Sequence, residues 1–169
     1  MAASKFLALV SGRIREVFAT VTSAGAGDDG KIVALDSTGR LDNSVLPVGV
    51  GVETKTVVAS ENLSSGNLVN IWNSAGEFRV RKADATSSGK EAMGFVLSSV
   101  TSGNPAQVYL EGTVTGLAGL LPGRYYLSTT PGEVVNTPPS NSGNVVQFVG
   151  NSVSSSELTF EAADGVILA

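Results

Sequence analysis

Leu68-Val69-Asn70-Ile71-Trp72, then Asn73-Ser74-Ala75-Gly76, then Phe78-Arg79-Val80-Arg81-Lys82-Ala83, is the most informative part of the chain for its architecture. Two β-rich runs flank a four-residue turn that ends in Gly, the pattern of a hairpin. Alternation supports it: Phe78 and Val80 share one face, and Arg79 and Arg81 share the other. On either side, similar runs recur at Lys55–Ala59, Ala92–Leu97, Ala106–Leu110, Thr113–Leu117, Tyr125–Ser128, Val134–Thr137, Val145–Val149, Leu158–Glu161 and Val166–Leu168. Turn chemistry separates them at Ser102-Gly103-Asn104-Pro105, Pro122-Gly123 and Pro131-Gly132. Short strands at this spacing predict an all-β domain, a compact antiparallel sandwich or small barrel of jelly-roll type. No repeat of fixed period runs through the chain, so solenoids and propellers drop out.

Composition agrees. Of 169 residues, 23 are Val and 20 are Gly, and Gly, Ser, Thr and Asn together make up 64. Hydrophobic residues reach 42%, enough for a core, while charged residues are only 15%, below the roughly 25% of an average soluble domain. The chain has neither Cys nor His. That excludes disulfides, thiolate nucleophiles, a Ser-His-Asp triad and His-ligated zinc. With a net charge of −4, no nucleic-acid partner is expected, because phosphate neutralisation needs a basic surface. No apolar run approaches the roughly 18 residues of a membrane span, so no membrane partner is expected. The run Phe6–Val10 is shorter than the ~7–15 residues of a signal-peptide core. The expectation is synthesis in a cytoplasm without secretion.

Residues 1–50 read differently from residues 51–169, with breaks at Gly25-Ala26-Gly27-Asp28-Asp29-Gly30 and Pro47-Val48-Gly49-Val50-Gly51. The first region is expected to be an N-terminal arm or small extended region, and the second the β-domain. Phe6, Leu9, Val10, Ile14, Val17 and Val21 fit a helical stripe with Ser4 as N-cap, but Gly12 interrupts it. Glu16–Thr22 reads equally as a strand, so the segment is expected to be extended from about residue 14 onward. Lys31–Asp36 is expected to be a short strand, turned by Ser37-Thr38-Gly39.

Each motif with a chemical reading also has a plainer one. Gly25–Gly30 matches Gly-x-Gly-x-x-Gly, but a β-like run follows where a dinucleotide site needs a helix, and two aspartates occupy the phosphate position. Asp36–Asn43 faintly resembles a calcium loop but lacks the EF-hand spacing. Asp84, Glu91 and Glu111 would have to converge to act as a carboxylate pair. Each lies beside a turn or a basic residue and reads as solvated surface. Arg124, Tyr125 and Tyr126 adjoin, but after Pro122-Gly123 they read as a strand rather than as the site of a lyase or depolymerase. Asn62-Leu63-Ser64 is a glycosylation sequon in form only. Arg79, Arg81 and Lys82 form a basic stripe, either a docking patch for an acidic partner or an ordinary solvent face. Trp72, Phe78, Tyr109, Tyr125, Tyr126 and Phe148 are expected to lie mostly in the core. The chain is expected to have no enzymatic activity, no cofactor and no metal.

Residues 30–47, from Gly30-Lys31-Ile32-Val33 through Val45-Leu46-Pro47, resemble a segment common in tailed-bacteriophage virion proteins, both head decoration proteins and fibre proteins. Asn67–Trp72, Val80–Ala85, Glu91–Leu97, Gly116–Leu117 through Gly123–Ser128, and Gly143–Gly150 are similar to the body of such proteins. The likeness extends over most of residues 25–169. It implies a capsid decoration, or cement, protein on the outer capsid surface of the virion. Such a protein is often a homotrimer, with the major capsid protein as its partner, clamping neighbouring coat subunits. A tail-fibre or host-receptor-binding module is the alternative that the same likeness implies. The candidate capsid or subunit interface is Phe6, Leu9, Val10, Ile14, Val17, Phe18, Arg79 and Arg81. The first six, together with Leu7, are apolar residues in a segment too small to bury them alone.

Overall fold

The computed structural model describes residues 5–37, 39–47 and 50–169. The chain divides into two compact units, Met1–Gly51 and Val52–Ala169.

The first unit is built on one antiparallel hairpin, β1 (Lys5–Val10) and β2 (Arg13–Phe18), paired from Lys5↔Phe18 to Val10↔Arg13. Ser11 and Gly12 turn it with φ of 52° and 76°, the positive values that two-residue hairpin turns require. Gly12 therefore ends one strand and starts another, where a helical reading sees an interruption. The extended structure begins at Lys5, nine residues earlier than expected; Ser4 lies outside the described residues. Two single-turn 3-10 helices follow, Ala26–Asp28 and Asn43–Val45. The strand expected at 31–36 reduces to one parallel bridge, Thr20↔Val33. Turns at Asp28–Lys31 and Asp36–Arg40 bracket it and leave no length for a ladder. In the expected 37–39 turn, Thr38 lies outside the described residues, as do Val48 and Gly49 of the 47–51 break.

The second unit is all-β. Strands β3 (Thr54–Ala59), β4 (Leu68–Ser74), β5 (Glu77–Lys82), β6 (Gly94–Phe95) and β7 (Pro105–Tyr109) close a barrel in the order β3-β5-β4-β6-β7. The β4–β5 hairpin turns at Ala75 and Gly76, both with positive φ, and Asn73 Oδ1 accepts the Gly76 N–H at 2.9 Å. The expected antiparallel arrangement fails at one seam, where β3 pairs parallel to β5. Strand β3 already pairs antiparallel to β7, and the barrel closes through its free edge.

Then come β8 (Gly112–Val114), β9 (Gly123–Leu127), β10 (Val134–Val135), β11 (Val145–Val146), β12 (Phe148–Ser152), β13 (Leu158–Phe160) and β14 (Val166–Ile167). Five of them form an antiparallel sheet in the order β10-β9-β12-β13-β8, and β11 pairs with β14. The single run expected over Val145–Val149 splits at Gln147. Its buried amide bonds the Ala92 N–H at 2.7 Å, the Ala92 carbonyl at 3.0 Å and the Ala163 carbonyl at 3.1 Å.

Two cores result. Val57, Ala59, Leu63, Val69, Val80, Val96, Ala106 and Val108 fill the barrel. Leu68, Ala83 and Phe95 pack with Val114, Tyr125, Leu127, Val149, Leu158 and Phe160 between barrel and sheet. The aromatic expectation needs correcting here. Phe78 is 76% exposed at the hairpin tip, beyond the reach of the barrel interior, although it shares the parity of buried Val80. The buried aromatics are Tyr125, Phe95 and Phe160, with the last two rings 5.5 Å apart.

At a register shift in β12, Gly150 has a φ of 149°, and a Cβ there would lie 2.0 Å from the Thr159 carbonyl oxygen. Gly150→Ala is expected to destabilise the second unit by about 2–4 kcal/mol through overpacking and backbone strain. The midpoint of urea unfolding measures it.

Candidate interaction surface

The hairpin register sorts its residues into two faces. Directly paired residues project to the same side. One face therefore carries Lys5, Leu7 and Leu9 with Phe18, Glu16 and Ile14. The other carries Phe6, Ala8 and Val10 with Val17, Arg15 and Arg13. On the first face Leu7, Leu9, Ile14 and Phe18 are 74%, 74%, 75% and 59% exposed. Lys5 and Glu16 form an ion pair there, and the Lys5 ammonium lies 4.9 Å from the centroid of the Phe18 ring. On the second face Phe6, Ala8 and Val17 are half-buried.

The rest of the unit repeats the pattern. Val21, Ile32, Val33, Leu35 and Leu41 are also exposed, and no described residue between 5 and 51 is buried. Polar contacts hold the local turns. Asp28 bonds the Lys31 ammonium and the Ala24 N–H, which keep its carboxyl below the ordinary carboxylate range. Hydrogen bonding to Ser44 likewise lowers Asp42, whose carboxylate accepts the Ser44 N–H at 2.9 Å. This is a segment with local order and no hydrophobic interior.

Of the predicted interface residues, the structure brings Leu9, Ile14 and Phe18 together on one face, and Phe6, Val10 and Val17 on the reverse. Leu7 belongs with the first group. The signal for it lay in Ser11-Gly12: a two-residue turn there pairs Leu9 with Ile14 and aligns Leu7 beside them.

Arg79 and Arg81 lie in the barrel, beside Trp72 and Asn70 on β4. Arg79 pairs with Glu77 at 2.5 Å. The Arg81 guanidinium stacks 4.7 Å from the Trp72 ring, donates to Asn70 Oδ1 at 3.1 Å and donates to the Gly89 carbonyl at 2.7 Å. Both guanidinium groups thus have partners within the second unit.

The carboxylates also differ from expectation. Asp84 is buried, not solvated, because the 84–91 loop folds over it. It accepts from the Thr86 hydroxyl and from the Thr86 N–H at 3.0 Å, and it pairs with Lys90 at 3.1 Å. Glu91 is half-buried and accepts the Gly89 N–H, whereas Glu111 is exposed. Tyr125 and Tyr126 point to opposite sides of β9. Tyr125 is buried with its hydroxyl accepting the Leu121 N–H, and Tyr126 packs at 6.3 Å from Phe148, over which Arg124 stacks. Among the described residues no group of three or more acidic side chains is placed to hold a metal ion, and no helix is long and apolar enough to cross a membrane.

No protein-family model matches the chain, and no curated protein does. Among solved structures it is similar to the crystal structure of the head fiber gp8.5 N base in bacteriophage phi29, at 15% identity and a TM-score of 0.46, over 66% of this chain and 95% of that one. A likeness that distant carries no weight for function.

Burial alone would raise the Asp84 pKa, but the Thr86 hydrogen bonds and Lys90 outweigh it and hold the carboxyl below its ordinary value. A depressed folded-state pKa gives stability that is present above the unfolded value of about 3.9 and is lost as pH falls through the folded value. Asp84→Asn is therefore expected to cost about 1–3 kcal/mol near neutral pH. The gap from the unsubstituted chain should begin to shrink as pH falls below about 4 and close only below the depressed folded-state value. Urea titrations at the two pH values check both the size and the sign.

Proposed function

We propose that this chain is a structural protein of a tailed-bacteriophage virion, a capsid decoration protein that binds the outer capsid surface and stabilises contacts between coat subunits. The observation that carries the reading is the first unit: a hairpin and two short turns with eleven large apolar side chains exposed and no described residue buried. Free in water, such a segment gains almost none of the hydrophobic free energy that orders a domain. It suits a part whose apolar surface is completed by another protein, here the major capsid protein or a sister subunit.

The second unit supplies what an exterior protein needs. It folds around its own two cores and presents Ser-, Thr-, Asn- and Gly-rich loops. The likeness of residues 30–47, 67–72, 80–85, 91–97, 116–128 and 143–150 to virion proteins supports the same reading. In this reading the protein performs no catalysis. Its work is to add buried area across junctions between capsomers, roughly 1,200–2,000 Å² at an interface of ordinary size. Many copies bind at once, so each contact can be individually modest. No nucleic acid, membrane or cofactor takes part.

Two measurements test the proposal. Deleting residues 1–24 is expected to lower binding to undecorated shells by a hundredfold or more in co-sedimentation, and unchanged affinity would sink the assignment. Band intensity relative to the coat protein in purified particles is expected to be comparable to that of the coat. A few copies per particle would instead favour a fibre module.

A further inference from the structure

We infer that the hairpin face bearing Leu7, Leu9, Ile14 and Phe18 is the contact between copies of this chain. The proposed function leaves the first unit facing either shell or sister subunit; this inference divides the hairpin and does not require the shell. Charge is the first argument. Among the described strand residues, the only ionic groups on this face are Lys5 and Glu16, one of each sign and already paired. Copies stacked through it meet no like-charge repulsion, and the pair can be exchanged between copies, since a self-complementary contact places residue i on j and j on i. The reverse face carries two cations, Arg13 and Arg15, and no anion. Two such faces repel each other, so the hairpin has one side compatible with its own copy and one side that is not.

Area is the second argument. Leu7, Leu9, Ile14 and Phe18 are each more than half exposed. At on the order of 100–150 Å² per side chain, they offer about 400–600 Å² per copy. A pair then buries roughly 800–1,200 Å² from these four residues alone, at the lower edge of stable interfaces. The Lys5 ammonium, paired with Glu16, sits 4.9 Å over the Phe18 ring at the margin of the patch. Stacked two-stranded sheets approach to about 10 Å, which four medium side chains from each copy fill. Timing adds to charge and area. A unit without a core needs its partner whenever it is ordered, and a second copy is the partner present wherever this chain is made.

The test uses the full chain, of 17.2 kDa. Sedimentation equilibrium is expected to give twice that mass, and a monomer for the double variant Leu9→Glu/Ile14→Glu, with association weakened by a hundredfold or more. Ala8→Glu, on the reverse face, is expected to keep the oligomer. The second unit has its own cores, so an unchanged melting transition in each variant shows that loss of association is not loss of fold. A monomeric unsubstituted chain overturns the inference, as does a double variant that stays oligomeric. If the unsubstituted chain is monomeric and the double variant loses shell binding, the face belongs to the coat protein: the inference fails and the virion reading stands. If instead the unsubstituted oligomer is dispersed by the double variant and neither form binds shells, the inference stands and the virion reading fails.

Discussion

The second unit depends on strands that are buried on both sides. Leu68 and Val69 are adjacent and both fully buried. Successive side chains on a strand point opposite ways, so Val69 enters the barrel while Leu68 faces the sheet layer. Phe95 and Val96 repeat the arrangement. The two cores thus share a single wall of backbone. Phe95 is the largest side chain at that wall, packed against the Tyr109 and Phe160 rings at 5.5 Å each. Its wall leaves no room for bulk: a Cβ on neighbouring Gly94 would lie 2.4 Å from the Tyr109 carbonyl oxygen.

Nothing comparable holds the first unit together. Among the described residues its two strands form one two-stranded sheet and no residue is buried, and a lone two-stranded hairpin is marginal in water. Local devices set its shape: the Ser11-Gly12 turn, the Asp28–Lys31 pair and the Asp42 contact to Ser44. These fix turns without supplying the apolar burial that makes folding cooperative. The same chain therefore joins a unit that is complete in itself to one whose apolar area is left uncovered.

Much of this was legible from residues alone where the cause is local. The β4–β5 hairpin follows from alternation and from Asn73-Ser74-Ala75-Gly76, and most other strands fall where turn chemistry brackets them. What was not legible depends on residues far apart in sequence. The parallel β3–β5 seam is a closure condition of the barrel, which no window of sequence contains. Asp84 reads as surface until the loop to Lys90 covers it. Gln147 reads as one more strand residue, although its amide is committed to Ala92 and Ala163. Phe78 has the right parity for the core and the wrong height along the strand. For the hairpin, composition revealed that the apolar residues exceed what the segment can bury. Only the register showed that they divide into an apolar face and a cationic one.

The sheet edges link these observations. An unpaired strand edge is a template for pairing with another chain, and proteins shorten, cover or close such edges. In the second unit the barrel closes, and the edge strands β10 and β8 are two and three residues long. In the first unit β1 and β2 are six residues each, and among the described residues each pairs on one side alone. Among the described residues the longest open edges thus fall on the strands that carry the exposed Leu7, Leu9, Ile14 and Phe18, while in the second unit the open edges are short. A chain that manages its edges so closely in one unit and leaves them open in the other fits an open hairpin that is completed by association. Association and order of the first unit are then one equilibrium, set by concentration and by the apolar area the contact removes from water.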